Sequence, residues 1–197
     1  MNSTVKNVLC LTLITIVAGF GLGYVYDITK LPIAQMEEST KMAAYRSVFP
    51  EAAGFSENLE GYEGGKPVEG FDGITVDSVV CAQDQAGKTI GYVMNITTKQ
   101  GYGGDITISM GIDSQGTVKG VEILDISETA GLGMKAKESK FRDQFKDKTV
   151  TAFAYTKTGA ASDFEIDAIS GATITTKAVV NAVNSGIALF NTLGGAQ

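Results

Sequence analysis

The chain has 197 residues, of which 44% are hydrophobic and 19% charged, and its formal net charge is −6. This length allows one domain with a buried core plus an accessory segment. The acidic balance argues against nucleic acid as a partner, because phosphates require a basic face. The sequence contains no histidine, so the commonest general base and transition-metal ligand is missing. Cys10 and Cys81 are too few for a zinc or iron–sulfur site within the chain, and we expect no metal.

An uncharged apolar run occupies residues 8–26. As a helix, a run of roughly 19 residues spans about 28 Å, close to the thickness of a bilayer core. A cleaved signal peptide is the alternative, but the run is longer than a typical signal-peptide core and no small-residue cleavage site follows it. We predict a tail and transmembrane anchor over residues 1–27. Residues 28–197 then form an extracytosolic domain.

The orientation of this single-pass anchor in the cell membrane rests on few charges. Lys6 precedes the run, whereas Lys30 and the acidic pair Glu37 and Glu38 follow it. Positive charges flanking a span favour the cytoplasmic side. The two flanks are nearly balanced, and we place the amino terminus inside.

The domain begins with a predicted helix over residues 32–49, since Pro32 suits a first helical turn. Residues 55–73 are rich in glycine and glutamate and predict loops. Four runs then have strand character, separated by turn signals at residues 84–87 and 113–116. The predicted strands cover residues 74–82, 89–98, 105–112 and 118–126.

The remainder predicts a short helix over residues 137–145, strands over 149–155 and 164–169, and a last helix over 175–193 with apolar residues at helical spacing. Together these elements predict an α+β fold, an antiparallel sheet flanked by helices and preceded by one N-terminal transmembrane helix.

Immediately before the last helix the chain reads Asp167-Ala-Ile-Ser170-Gly171-Ala172-Thr173. This pattern predicts a strand end, a tight turn at Gly171 and a helix start. Unpaired N–H groups and a partial positive charge at such a start stabilise a phosphate, and small residues allow the backbone to approach it. The alternative is that the hydroxyl side chains only cap the helix.

The same segment resembles the acceptor motif of the FMN-binding domain family, in which a flavin transferase attaches FMN through a phosphoester to the final threonine, here Thr173. Two further segments resemble the same family. One begins with the glycine-rich stretch at residues 101–104 and continues through the predicted central strands. The other, residues 128–134, is similar to the family's Glu-Thr-Pro-Gly-Leu-Gly loop, with Ala130 in place of proline.

The resemblance implies covalent FMN on Thr173 and a role for each matching residue. Asp167 would hold the turn, and Lys177 would add positive charge near the phosphate. The phosphodiester would be bound by Ser170, Gly171, Ala172 and the N–H groups around Thr175 and Thr176. The ring pocket would be formed by Glu128, Thr129, Gly131, Leu132, Gly133 and Met134, with Tyr102 stacking on the ring. For Tyr102, Leu132 and Met134, ordinary packing is the alternative.

With the anchor included, the sequence most resembles the G subunit of the Rnf ion-translocating electron-transfer complex, which links ferredoxin oxidation and NAD reduction to ion transport. The resemblance implies other membrane subunits as partners, and a flavin transferase during maturation. One alternative keeps the flavin, as the C subunit of a sodium-pumping quinone reductase or as a stand-alone extracytosolic FMN protein. The other is an anchored binding or scaffolding domain without redox function.

Overall fold

The computed structural model describes residues 3–59 and 61–194. Its first element is helix α1, Ser3–Val48, which contains a stretch long and apolar enough to cross a membrane. Pro32 lies inside this helix, so the prediction of a separate helix starting near Pro32 was wrong. A proline removes one internal hydrogen bond, but the helix-favouring residues on both sides continue the helix across it.

The chain forms two compact units, Met1–Lys41 and Met42–Gln197. The predicted division between residues 27 and 28 lies within α1. The predicted division marks the end of the membrane span and not the start of the packed domain. It stays a prediction.

The second unit is built on an antiparallel sheet in the order β1-β3-β4-β5-β6-β7, with β2 paired to β3. The four long central strands confirm the prediction from runs of strand character separated by turn signals. The sheet comprises β1 Gly54–Asn58, β2 Lys66–Pro67, β3 Ile74–Gln83, β4 Thr89–Thr98, β5 Ile106–Asp113, β6 Thr117–Ile126 and β7 Lys148–Thr149.

Strands β1 and β2 lie where loops were expected, and that expectation was wrong. Both are short and pair only with β3. Glycine and glutamate have low strand propensity, so these strands depend on a partner distant in sequence rather than on their own residues.

The segment after β6 differs in detail from the prediction. In place of one helix over 137–145 there is a 3₁₀ helix Gly133–Lys137, helix α2 Ser139–Arg142 and a 3₁₀ turn Asp143–Phe145. The predicted strand 149–155 is divided between β7 and β8, Ala154–Thr156. Strand β8 pairs in parallel with β9, Glu165–Asp167, and α3 spans Thr173–Thr192 rather than starting at Thr175.

Helix α3 covers one face of the sheet, which we call the inner face. Its buried residues, among them Val179 and Val183, join the side chains of the central strands in the main core. At Gly186 an added Cβ would lie 2.9 Å from Ile96 and Met110, so the helix backbone lies directly on the strands. This contact fixes the position of the start of α3.

The opposite, outer face holds the end of α1. Tyr45, Val48 and Phe49 form a second apolar cluster with residues of β3 and β4. The backbone comes very close here, since a Cβ on Gly111 would lie 2.4 Å from the Val48 carbonyl oxygen. The sheet therefore has a helix packed on each face, α3 on the inner face and the end of α1 on the outer face.

Candidate functional site

The start of α3 has no side-chain cap. Its N-cap residue is Ala172, and no side chain caps the helix there, so the plain-cap alternative does not describe this turn. Gly171 has a φ of +77°, which suits glycine, and the Ala172 N–H donates to the Ile169 carbonyl at 2.9 Å. The first N–H groups of a helix have no carbonyl one turn earlier, so the backbone from Thr173 to Thr175 presents free donors.

Thr176 stabilises this turn through hydrogen bonds. Its side chain is fully buried, and its Oγ1 accepts from the Ile169 N–H at 3.0 Å and donates to the Ala172 carbonyl at 2.9 Å. Its own N–H donates to the Ala172 carbonyl at 3.0 Å. Thr176 therefore has no donor left for a ligand, contrary to the expectation that its N–H binds phosphate. It holds the geometry that exposes the donors before it.

A cavity of about 530 Å³ opens at this helix start. Its volume is in the range of small-molecule and cofactor sites. Predicted site residues from three separate parts of the chain meet there. The lining comprises Tyr102, Glu128, Thr129, Leu132, Gly133, Gly171, Ala172, Thr173, Ile174 and Thr175.

Ile174 was not among the predicted residues. It is 52% exposed although it is a large apolar side chain at the start of a helix. Exposed apolar groups beside a cavity are typical of binding sites. Its position directly after Thr173 could have indicated a place in the site. By helical spacing alone, however, Ile174 looks like any other apolar residue of the helix.

Glu128 joins two walls of the cavity. Its Oε1 accepts hydrogen bonds from the backbone N–H of Tyr102 at 2.7 Å and of Gly103 at 3.2 Å. A Cβ on Gly103 would lie 2.2 Å from the Ser127 carbonyl oxygen, and one on Gly101 would lie 2.9 Å from Glu128 Oε1. The glycines let the loop between β4 and β5 come within reach of this carboxylate.

Gly133 is equally restricted. A Cβ there would lie 2.7 Å from Glu128 Cβ, Glu128 Oε2 and Thr175 Oγ1. The loop containing residues 128–133 and the first turn of α3 are therefore in direct contact beneath the cavity.

Several predicted site residues lie outside the cavity. Asp167 does not hold the turn at Gly171. Its Oδ1 accepts from the Ala160 N–H at 2.6 Å, and its own N–H donates to Gln144 Oε1 at 2.6 Å. Asp167 and the exposed Ser170 line a second cavity of about 300 Å³.

The other outlying residues border the site. Met134 is half-buried and packs against the main core, as its packing alternative predicts. Lys177 is exposed one helical turn after Thr173. Gly131 has a φ of +76° with open space around it, so it shapes the loop rather than a wall.

The chemistry available at the cavity is that of binding. Free N–H groups at a helix start attract an anion, while Tyr102, Leu132 and Ile174, exposed by 72%, 42% and 52%, offer an apolar rim. Among the described residues no cluster of three or more histidine, cysteine or acidic side chains is placed to hold a metal. A ligand with an anionic end and a flat apolar body fits these residues.

Comparison with known proteins agrees with this arrangement. A family model described as "FMN-binding domain" matches residues 101–188. The fold is similar to the crystal structure of NqrC from Shewanella oneidensis, with a TM-score of 0.53 and 21% identity over 69% of each chain. It is also similar to the C subunit of the Na⁺-translocating NADH-quinone reductase from Parabacteroides distasonis, with a TM-score of 0.50 and 26% identity over 61% of this chain and 64% of that one. All the residues that line the cavity lie within the match to the FMN-binding domain model.

The relatives found by sequence identify the family more specifically than the fold does. The chain is 32% identical to the G subunit of the Na⁺-translocating ferredoxin:NAD⁺ oxidoreductase complex of Acetobacterium woodii, over 94% of this chain and 90% of that protein. It is also 32% identical to the G subunit of the ion-translocating oxidoreductase complex of Methanosarcina acetivorans, over 92% of each. The chain belongs to the family of G subunits of ion-translocating oxidoreductase complexes.

Proposed function

We propose that this chain is a membrane-anchored FMN carrier that relays electrons within an Rnf-type complex, which links ferredoxin oxidation and NAD reduction to ion transport. The observation that carries the proposal is the cavity in which the start of α3 meets the loop containing residues 128–133. The names of the two relatives, each matched over at least nine-tenths of its length, support the assignment to such a complex.

The phosphate end is assigned to the start of α3. Backbone N–H groups at Ile174 and Thr175 would donate to the phosphate oxygens, and a helix start contributes on the order of 0.3 to 1 kcal/mol to binding such an anion. Gly171 has no side chain, so the backbone can approach the phosphate. Lys177, exposed one turn later, adds a positive charge.

The tether is assigned to the hydroxyl of Thr173. In the maturation step, a bond forms between Thr173 Oγ1 and the phosphorus of a flavin phosphoanhydride. The bond from that phosphorus to its leaving group breaks, and the hydroxyl proton passes to a base. We assign that base to the separate flavin transferase, because the chain has no histidine. Thr175 is a poor acceptor because it is only 1% exposed.

The flavin ring is assigned to the apolar rim. Tyr102 would stack on the ring, Leu132 and Ile174 would exclude water from its edge, and Thr129 would offer hydrogen bonds. FMN supplies one- or two-electron redox chemistry when it is bound, and the protein tunes it through polarity and hydrogen bonds. A tether through the phosphate retains the cofactor without a bond to the ring.

The decisive experiment is flavin fluorescence of the denatured chain on a gel after co-expression with an active flavin transferase. The wild type should show a fluorescent band, and Thr173→Ala should show none. Thr192→Ala is the matched control, because it removes a threonine hydroxyl at the opposite end of α3 from the cavity and should keep the band. A dark wild type, or a fluorescent Thr173→Ala, would contradict the covalent assignment.

The identity of the complex needs a separate test. One solved neighbour is the C subunit of a Na⁺-translocating NADH-quinone reductase, so a quinone-reductase partner and a stand-alone flavoprotein are the alternatives to be tested. Affinity purification of the full chain from mild detergent should recover the other Rnf-type subunits. Recovery of quinone-reductase subunits, or of no redox partner, would redirect the assignment while leaving the flavin test unaffected.

We also propose that the domain lies outside the cytosol. A cysteine at exposed position 88 (Lys88→Cys, in a Cys81→Ser background) should react with a membrane-impermeant maleimide in intact cells. Thr4→Cys, on the other side of the apolar run, should react only after permeabilisation. The reverse pattern would invert the topology.

A further inference from the structure

Three buried side-chain polar atoms lack a hydrogen-bond partner in the described part of the chain: Asn95 Oδ1, Ser109 Oγ and Arg142 Nε. Buried polar atoms are almost always paired with protein or with ordered water. The residues that carry them are linked in order across β4, β5 and β6 to α2. Asn95 is directly opposite Ser109, Ser109 is directly opposite Glu122, and Arg142 forms an ion pair with Glu122. We call Asn95, Ser109 and Glu122 the polar row.

The polar row lies on the outer face, beneath the end of α1. Asn95 and Ser109 alternate along their strands with Met94 and Met110, which point into the main core. Tyr45 and Ser47 of α1 reach the row from above. The Tyr45 hydroxyl accepts from Asn95 Nδ2 at 2.6 Å, and Ser47 Oγ donates to Glu122 Oε2 at 3.1 Å.

The amide nitrogen of Asn95 is fully used. It donates one proton to Tyr45 and the other to Ser78 Oγ, at 2.9 Å. The unpaired group is therefore the amide oxygen, in a residue that is only 6% exposed. With the amide oxygen and nitrogen exchanged, the nitrogen would be unpaired instead. Either orientation of the amide requires one more partner.

We propose that the cross-strand pair Asn95–Ser109 binds one internal water molecule. The water donates to Asn95 Oδ1 and bonds to Ser109 Oγ. The Tyr45 hydroxyl, which accepts from Asn95 and still has its own proton to donate, supplies the third contact. Internal waters typically make about three such bonds to otherwise unpaired groups.

A cation fits the row less well than water does. Glu122 provides the carboxylate of the row, and its charge is already balanced by Arg142. The oxygens of Asn95, Ser109 and Tyr45 are neutral, and the Arg142 guanidinium group repels a second positive charge. Water supplies both the donor that Asn95 Oδ1 needs and an acceptor for the hydroxyl protons.

The site lies where the end of α1 is fastened to the sheet. With the water in place, Tyr45, Asn95 and Ser109 form a connected set of hydrogen bonds between helix and strands. The water is then a structural component of this attachment, and removing its partners should loosen the attachment rather than disturb the cavity at the start of α3.

The test uses the full chain in detergent, with two measurements on Ser109→Ala. Because the variant removes a partner of the water, its Tm should fall, and water-oxygen magnetic relaxation dispersion should lose the contribution of one long-lived water. The double variant Asn95→Leu with Ser109→Ala must lose that contribution. Ser185→Ala is the matched control, since Ser185 is equally buried but its hydroxyl already donates to the Ala182 carbonyl at 2.7 Å. It should keep the water signal.

Three outcomes would overturn the proposal. A rise in Tm for Ser109→Ala would mean that the pair is dry, because removing an unpaired buried hydroxyl relieves a cost. A water signal that is missing from the wild type or retained by the double variant would place no water at this pair. A Tm that falls when sodium is replaced by choline in the wild type, but not in the double variant, would identify a bound cation instead.

Discussion

Glu128 Oε1 accepts a 2.7 Å hydrogen bond from the backbone N–H of Tyr102, a residue 26 positions earlier in the chain. A carboxylate that accepts two backbone N–H bonds is a strong local anchor, because hydrogen bonds to charged groups are roughly twice as strong as neutral ones. The most exposed aromatic side chain of the cavity is thus carried by a loop whose backbone is held by an acidic residue of the opposite wall.

Removing that anchor should loosen the loop. We expect Glu128→Ala to lower stability by about 0.5 to 1.5 kcal/mol, since two exposed backbone donors exchange a charged acceptor for water. Hydrogen exchange at Tyr102 and Gly103 should accelerate in the same variant. Glu128→Gln keeps an oxygen acceptor and should show the smaller effect in both measurements. Equal exchange rates in the wild type and Glu128→Ala would show that the bond does not hold the loop.

Tyr102 should matter to the flavin and not to folding. Its side chain is 72% exposed, so Tyr102→Ala should change the stability of the flavin-free domain by no more than about 0.5 kcal/mol. In the flavin-loaded protein the same variant should increase quenching of flavin fluorescence by iodide.

Tyr92 provides the contrast to Tyr102. It packs partly buried against the core, with its ring centroid 6.2 Å from that of Phe190. Tyr92→Ala should therefore cost about 2 kcal/mol or more. If Tyr102→Ala destabilises the flavin-free domain as strongly, Tyr102 is a packing residue and the stacking role is wrong.

Gly133 should not tolerate even a methyl group. An added Cβ would lie 2.7 Å from atoms of both Glu128 and Thr175, and overpacking of this kind typically costs about 1 to 3 kcal/mol. We expect Gly133→Ala to lower Tm and also to reduce the yield of fluorescent, flavin-loaded protein. Gly54→Ala, where nothing lies within 4 Å of the added atom, should leave both unchanged. A normal Tm for Gly133→Ala would mean that the loop shifts freely away from α3.

Lys119 makes a pH-dependent contribution to stability. Its Nζ lies 3.0 Å from both Glu51 and Asp147, and these hydrogen bonds raise the Lys119 pKa from its ordinary 10.5. A raised lysine pKa stabilises the folded state fully below the unfolded value, and the contribution is lost as pH rises through the folded value.

Lys119→Met should therefore cost about 1 kcal/mol at neutral pH, because the acidic partners are partly exposed. In thermal unfolding at a series of pH values, the Tm difference from the wild type should stay level up to about pH 10 and shrink above it. Lys66→Met is the matched control, since the Lys66–Glu63 pair is mostly exposed, and it should have little effect. A difference that shrinks already between about pH 7 and 9 would contradict the direction of the shift.

The sequence predicted best the elements that have a recognisable pattern within their own residues. Strands β3 to β6 are runs of eight to ten residues rich in valine, isoleucine and threonine, and this composition can be recognised without knowing which strands pair. Strands β1 and β2 were missed because their extended conformation depends on pairing with β3 and not on their own residues. The continuity of α1 through Pro32 was missed because a proline is read locally as a boundary.

The site shows the same division. The two loops that line the cavity could be found from their motifs, but the motifs did not show that Glu128 bonds to the backbone at Tyr102. Asp167 was expected to hold the adjacent turn and instead bonds to the N–H of Ala160. The N–H of Thr176 was expected to bind the phosphodiester and instead donates to the Ala172 carbonyl. These roles depend on which distant segments meet, which spacing along one chain does not reveal.

The opposed faces of β5 also limit how this domain can diverge. Met110 points toward α3, while Ser109 and Gly111 on either side of it face the end of α1. Adding or deleting one residue within the strand would reverse these directions for every following position. It would bring a hydroxyl into the apolar interior and a methionine against Val48. A point replacement can therefore alter the contact of β5 with α3 or with the end of α1 separately. A change in the length of the strand would damage both contacts together.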